Sequence, residues 1–291
     1  LARGHAVTAL LRPGGRGEAL ARLGARCLAV DLLDRTAVAR AVAGHDAVVN
    51  LATHMRASAG RMLLPGAWRQ NDRLRRHGAA NLAEAALAGG AARYVQESFA
   101  LAYPDRGAAW IDESTPLAPG RYNRSLLDAE AAAARFAEGG GAGIVLRFAA
   151  FYGPDAMQVR SYADALRRGW AALPGGADRF ISSVSHDDAA AAVVAAVLEA
   201  PAGVYTVADD EPVTRAVYFG VLAQCLGLAP PRFLPDRAAP LLGSLGRTLA
   251  RSLRLSNRRL KEATGWRARL PSVREGWPAT VAEMRAAGLR L

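Results

Sequence analysis

The sequence predicts an α/β protein, a doubly wound parallel sheet covered by helices and followed by a smaller, less regular lobe. Short β-like runs alternate with Ala-rich helical stretches through the first half of the chain. One run, DAVVNL at 46–51, is apolar almost throughout, as a strand buried on both faces requires. Five such strands fall within about 150 residues, a density that suits a doubly wound sheet.

The elements follow in order. His5 to Leu11 reads as a strand, Arg16 to Gly24 as a helix, Arg26 to Val30 as a strand and Arg35 to Ala43 as a helix. Asp46 to Leu51 is expected near the centre of the sheet. A long helical region from Trp68 to Ala88 is stopped by Gly89-Gly90 and leads into the strand Arg93 to Gln96. Tyr122 to Glu138 reads as a helix whose Ala131–Ala134 stretch permits close packing, and Ile144 to Phe148 as the next strand. Beyond Gly153-Pro154 the pattern loosens. Helical pieces (Tyr162 to Trp170, Asp187 to Leu198, Val217 to Leu226) surround one clear strand, Gly203 to Val207, and Pro- and Arg-rich segments follow.

Composition sets further bounds. With 291 residues, 51% hydrophobic and 22% charged, the chain can bury a sizeable core, which excludes disordered, collagenous and low-complexity classes. The longest charge-free apolar run, Ala189 to Leu198, is about half of the roughly 20 residues a membrane span needs, so no transmembrane helix and no membrane partner are expected. Cys27 and Cys225 are far apart and in no ligand spacing, which argues against a disulfide scaffold or a cysteine zinc site. The first five residues lack a signal-peptide layout, so the cytoplasm is the expected location. The net charge of +11 comes from scattered arginine, with Lys261 the single lysine among 37 basic residues, and no nucleic-acid-binding signature accompanies it.

A dinucleotide site needs glycines just after a strand and at the start of a helix. Gly14-Gly15-Arg16-Gly17 follows a strand without GxGxxG spacing, Gly139-Gly140-Gly141 comes after a helix, and Pro174-Gly175-Gly176 sits between no such pair. Each reads as a turn. Leu1 to His5 reads as the end of a helix, a Gly stop and the entry to a strand, so a first strand with its glycine loop, roughly 20 to 30 residues, is expected upstream.

An ordered set of segments resembles the extended short-chain dehydrogenase/reductase family, the NAD(P)-dependent epimerase/dehydratases. They are RGHAVTALLRPG, DLLD, DAVVNLAT, NLAEAALAGGAARYV, the Ser98 region, YNRSLLDAE, VLRFAAFYGP, SHDDAAAAVVAAVLEAPAGVYTVADDEP and SNRRLKEATGW. The resemblance implies a Rossmann domain over 1–153 that binds the cofactor. It also implies a substrate lobe over 154–291, some of whose segments return to the sheet. Arg12, with no acidic residue at its position, would face the adenosine ribose and favour NADP over NAD. Asp31-Leu32 would meet the adenine, although Asp31 also suits a turn cap. Asn50-Leu51-Ala52-Thr53 would lie beside the phosphates and ribose, and Phe148-Ala149-Ala150 beside the nicotinamide.

The family moves a proton with a tyrosine while hydride passes to or from the cofactor, and a lysine four residues on lowers that tyrosine's pKa. Tyr122 matches the tyrosine and Ser98 the substrate-oxygen donor, though the spacing from Ser98 to Tyr103 is one residue longer than the family's. The lysine position is Leu126. On a helix Arg124 would lie about 200° round from Tyr122, so Tyr122 is expected to lack a cation and to titrate near its usual value of about 10. Glu97 reads either as an acid/base or as an exposed strand end, and His186-Asp187-Asp188 as a structural cap with no metal. The expected activity is that of an NAD(P)-dependent oxidoreductase or epimerase acting on a carbonyl or hydroxyl of a small molecule, such as a nucleotide sugar or natural-product intermediate. The alternative is a non-catalytic sensor or structural protein of the same fold. Family members often form homodimers through a four-helix packing that would include the Tyr122 helix.

Overall fold

The structure, a computed structural model, describes residues 1–54 and 66–289. The strands and helices β1 (Thr8–Leu11), α1 (Glu18–Arg22), β2 (Arg26–Ala29), α2 (Arg35–Val42) and β3 (Ala47–Asn50) alternate as expected. Next comes α3, a continuous rod of α-helical Arg69–Arg73, π-helical Leu74–Gly78 and α-helical Ala79–Ala88. Then follow β4 (Arg93–Phe99), short β5 (Trp110–Ile111), α4 (Leu126–Glu138) and β6 (Ala142–Phe148). The second half contains β7 (Ala150–Tyr152), α5 (Met157–Arg167), β8 (Phe180–Ile181), β9 (Ser183–Ser185), α6 (His186–Glu199), β10 (Gly203–Val207), β11 (Val213–Thr214) and α7 (Arg215–Cys225). It ends with α8 (Gly243–Leu249), β12 (Arg254–Leu255), α9 (Arg258–Thr264) and α10 (Val273–Ala286).

The main sheet is parallel throughout, in the order β10-β6-β4-β3, with Val49 opposite Val95 and Val95 opposite Ile144. The aliphatic strand residues supply both faces. On one face Val38, Leu82, Ala129, Ala132 and Phe136 of α2, α3 and α4 bury Val48, Tyr94 and Val145. On the other, α6 and α9 cover Val95, Ile144, Leu146 and Tyr205. The alanine stripe allows α4 to approach very closely: a Cβ added at Gly143 would stand 1.9 Å from the Ala133 carbonyl oxygen. A third core, centred on Trp277, Tyr218 and Phe219, fills the second lobe.

Strands β1 and β2 pair in parallel with each other, and among the described residues neither joins the ladder of β3. Packing of Leu10, Leu28 and Val30 against the α2 core, and a bond from His45 Nε2 to Thr8 Oγ1 at 2.9 Å, tie the pair to the rest.

Several sequence expectations shift. The first strand begins at Thr8 rather than His5, because Leu1–Gly4 closes a turn. Helix α4 starts at Leu126 rather than Tyr122, because residues 120–125 form successive i→i+3 turns through Asn123 N to Gly120 O and Leu126 N to Asn123 O. The cap of α6 is Ser185, whose Oγ accepts from Asp188 N. Asp188 instead holds the chain at Arg269 and Leu270 through their backbone N–H groups. No metal-binding group of His, Cys, Asp and Glu occurs among the described residues, and no described helix is long and apolar enough to cross a membrane.

Candidate active site

Because every strand of both sheets' N-terminal layers is parallel, their carboxyl ends lie along one edge, where α/β folds place ligands. Arg12 follows β1 there, exposed, with its carbonyl closing a turn to Gly15 N. Asp31 and Leu32 follow β2; Asp31 is exposed and accepts from Leu33 N at 3.0 Å, forming the turn cap. Leu32 is fixed by Asn81 Nδ2, which donates to its carbonyl.

The loop after β3 is shaped from beneath. Asn50 is buried, donates to Gln96 Oε1 at 2.9 Å and accepts from Ala52 N. Asn71, on the first turn of α3 and 1% exposed, accepts from Thr53 Oγ1 and His54 N with one carbonyl oxygen. Leu51 remains half exposed above them. At the end of β6, Phe148 and Ala149 are buried, and the Phe148, Phe151 and His186 rings form a row with centroids 5.3 and 5.5 Å apart.

Ser98 lies at the end of β4 but does not face this edge. It is fully buried, and its hydroxyl donates to Glu130 Oε1 of α4 at 2.5 Å. Arg147, its register partner on β6, grips Glu130 with Nε and Nη2 and donates through Nη1 to Tyr103 Oη. Alternation along β4 sends Phe99 to the opposite face. Glu97 is not an exposed strand end: its side chain is 14% exposed, with Arg75 Nη2 at 3.6 Å. Burial raises its pKa, with Arg75 pulling down and Glu130 pushing up.

Tyr122 stands in the turn before α4, its ring 5.0 Å from that of Trp68. Its hydroxyl is buried and completes no hydrogen bond. Thr248, which comes close, commits its own proton to the Ser244 carbonyl. The expectation of a near-normal tyrosine without a cation is corrected on both points. Burial pushes Tyr122 up to about 12, although Arg251 and Arg75 face it and pull the other way. Arg251 is held by the Leu101 and Tyr103 carbonyls, and Arg215, buried and pulled down to about 10 by burial, clamps the carbonyls of Pro174, Leu249 and Arg251. Lys261 takes no part; it pairs with Asp210 at 2.9 Å. Around Tyr122 other buried polar atoms are also unpartnered: both amide atoms of Asn123, Ser125 Oγ, Arg75 Nε and Glu97 Oε2.

Arg12, Asp31, Leu32, Asn50 to Thr53 and Phe148 to Ala150 thus each follow or end a parallel strand, Tyr122 lies in the turn before α4, and Ser98 faces inward. Sequence reasoning missed Asn71, Arg75, Glu130, Arg147 and Arg251. Only Arg147 left a sequence signal, as a charge inside the apolar run IVLRF, which demands a buried partner.

Comparison with known proteins gives a consistent picture. A family model described as NAD(P)H-binding matches residues 1–201. A 3-diazoavenalumate denitrifying reductase from a Streptomyces species is 39% identical over 285 residues, covering 94% of this chain and 92% of that protein. Among solved structures, the UDP-glucose 4-epimerase of Thermotoga maritima with UDP-glucose superposes with a TM-score of 0.78 at 22% identity, over 98% of this chain and 93% of its own. A human epimerase family protein with NADPH gives 0.78 at 19% identity, over 97% and 92%. The chain has the fold of these extended short-chain dehydrogenase/reductases.

Proposed function

Because this chain belongs to the NAD(P)H-binding family, we propose that it is an NAD(P)H-dependent reductase that replaces a diazo group on carbon by hydrogen. The family match and the reductase relative support an NAD(P)-binding protein of oxidoreductase type, built on an epimerase-like fold. The observation that carries the diazo reading is the weakening of the proton relay among the candidates. Leu126 occupies the lysine position and is fully buried, Ser98 is locked to Glu130, and burial raises the Tyr122 pKa to about 12, which weakens the phenol as a proton donor.

Reduction of a carbonyl leaves an alkoxide that must be protonated, so those positions would matter. Reduction at a diazonium carbon does not: R–N2⁺ + NAD(P)H gives R–H + N2 + NAD(P)⁺. The C–N bond breaks with its electron pair leaving on nitrogen, and hydride forms the new C–H bond. No proton enters the balance. The relative named a denitrifying reductase, with a diazo compound in its name, supports this reaction class.

The residues on the edge fit a dinucleotide. Exposed Arg12 offers a cation for a ribose phosphate, which favours NADPH, and Asp31 and Leu32 lie where the adenine would rest. Asn50 and Asn71 hold the loop through Thr53 in shape for the phosphates, and the unpartnered Asn123 amide is a buried polar group that awaits a ligand atom. Phe148 to Ala150, backed by Phe151 and His186, would keep water from the nicotinamide. The bound cofactor supplies the hydride.

The test is to incubate the protein with NADPH carrying deuterium at the transferable position and an aryl diazonium salt, beside a panel of aldehydes and ketones. The expected outcome is nitrogen release with deuterium on the vacated carbon, unchanged by Tyr122→Phe. Turnover of a carbonyl that disappears in Tyr122→Phe would overturn the diazo reading in favour of ordinary proton-coupled reduction. Nucleotide binding with neither reaction would favour the non-catalytic sensor.

A further inference from the structure

Tyr122 is closed off from two sides. The Trp68 ring lies 5.0 Å from its own, and α8 sets Thr248 against the hydroxyl. Thr248 also presses on the turn that carries the tyrosine: a Cβ added at Gly120 would stand 3.0 Å from Thr248 Oγ1. A hydroxyl buried in this way meets no molecule from outside until one of its walls moves.

The wall that contains α8 has few attachments. Upstream the chain is fixed at Arg232, whose N–H donates to the Gly169 carbonyl and whose carbonyl accepts from Ala171 N. Downstream it is fixed where Arg215 donates to the Leu249 carbonyl and where the Arg251 guanidinium donates to the Leu101 and Tyr103 carbonyls. Over residues 234–248, the hydrogen bonds and ion pairs that described groups make to the rest of the protein are those of Asp236. Little packing supports the stretch. Of its described residues only Ala239, Gly246 and Thr248 are buried, and Leu241 is 87% exposed. Segments with so few buried apolar contacts open locally ahead of the rest of a fold.

The tie itself has two positions. Asp236 Oδ1 accepts from Gly176 N at 2.8 Å, and its Oδ2 accepts from Arg179 Nε at 2.9 Å and from Arg179 Nη2. Arg179 has a second carboxylate within reach, because its Nη1 lies 3.5 Å from Oδ2 of Asp105, on the loop after Tyr103. An arginine between two carboxylates keeps an ion pair whichever it serves, so releasing Asp236 strands no charge. Both carboxylates are partly exposed, and water compensates the one that is released.

We propose that residues 234–248 are a lid over the Tyr122 hydroxyl, latched by Arg179 and Asp236, and that the lid opens when Arg179 passes to Asp105. The device goes beyond the reductase reading, because it governs when the site is entered rather than what reacts there.

Acetylation of the full chain with N-acetylimidazole, with each of the seven tyrosines followed by peptide mass spectrometry, reads the opening, since the reagent modifies a phenol it can reach. Tyr122 should react slowly in the unmodified chain. Asp236→Asn should accelerate it about two- to fivefold, the range over which a partly exposed ion pair shifts an equilibrium, and tryptic cleavage after the exposed Arg237 and Arg247 should rise in step. Asp105→Asn should slow Tyr122 instead, because Arg179 then has no second partner. The other six tyrosines are buried and should keep their rates in both variants. Four results would each overturn the proposal: Tyr122 reacting as fast as free N-acetyltyrosinamide, an unchanged rate in Asp236→Asn, both variants shifting the rate in one direction, or all tyrosines accelerating together. The labelling needs neither cofactor nor turnover, so its failure and a failure of the reductase assay are separate events.

Discussion

Two polar regions flank the candidate active site, and they are built in opposite ways. At the end of β4, Ser98, Glu130, Arg147 and Tyr103 satisfy one another in a chain of bonds from 2.5 to 2.9 Å, with Ser98 and Tyr103 wholly buried. In the turn before α4, Asn123 and Ser125 are buried and Tyr122 is half-buried, and all three hold buried polar atoms with no partner among the described residues. A closed network rigidifies the scaffold, whereas an open set stores a desolvation cost that a ligand relieves. By that criterion we propose Ser98 as scaffold and the turn as site, although family resemblance implies a chemical role for both.

The sharpest way to break this contrast is Arg147→Met. Removing one partner of a buried ion pair leaves Glu130 uncompensated, so a loss of about 3–5 kcal/mol is expected from urea unfolding. A loss below about 1 kcal/mol would mean that the network contributes little and that Ser98 is free for other work.

A smaller, pH-dependent effect is expected at Glu97, which lies between the two regions. Burial raises its pKa, so the folded state holds the proton more tightly than the unfolded chain does. The stability it contributes is complete below the ordinary Glu range and is lost as pH rises through the raised value. Glu97→Gln should therefore flatten the decline of the urea midpoint above the ordinary Glu range. An unaltered decline would show that Arg75 keeps the carboxylate ionised.

The smallest effect is expected from Tyr122→Phe. Its hydroxyl has no bond to lose, so stability should stay constant or rise by up to about 1 kcal/mol. A loss of more than about 1 kcal/mol would show that the hydroxyl is bonded in solution and that the turn is scaffold after all.

Much of this architecture was legible in the sequence, and the exceptions have physical causes. The central strands announced themselves because both faces of a parallel sheet are buried, so Val95, Ile144 and Leu146 sit in apolar runs, whereas β3, expected near the sheet centre, is the end strand of the described main sheet and leaves Val49 39% exposed. The edge positions Asn50 to Thr53 and Phe148 to Ala150 followed, since they come directly after such strands. The state of Tyr122 did not. Its burial arises from Trp68 and from the α8 end of the chain, and its neighbouring cations are Arg75 and Arg251, each distant in sequence. YNRSLLDAE has helical spacing throughout, so nothing in it revealed that the first four residues would be spent on tight turns. Ser98 failed to declare its direction because a shift of one residue along a strand reverses the face.

The π-helical turn at Leu74–Gly78 gives α3 a property of its own. A π turn is in effect one residue inserted into an α-helix, and it sets the phase between the parts on either side. Asn71 on the amino side tethers the loop after β3, while Leu82 on the carboxyl side is anchored in the core. Deleting one residue within the turn would restore α-helical winding and rotate Asn71 by about 100° relative to Leu82. The rod thus behaves as a keyed shaft: its inner end is fixed by packing, and the single extra residue decides whether its outer end engages the loop at all.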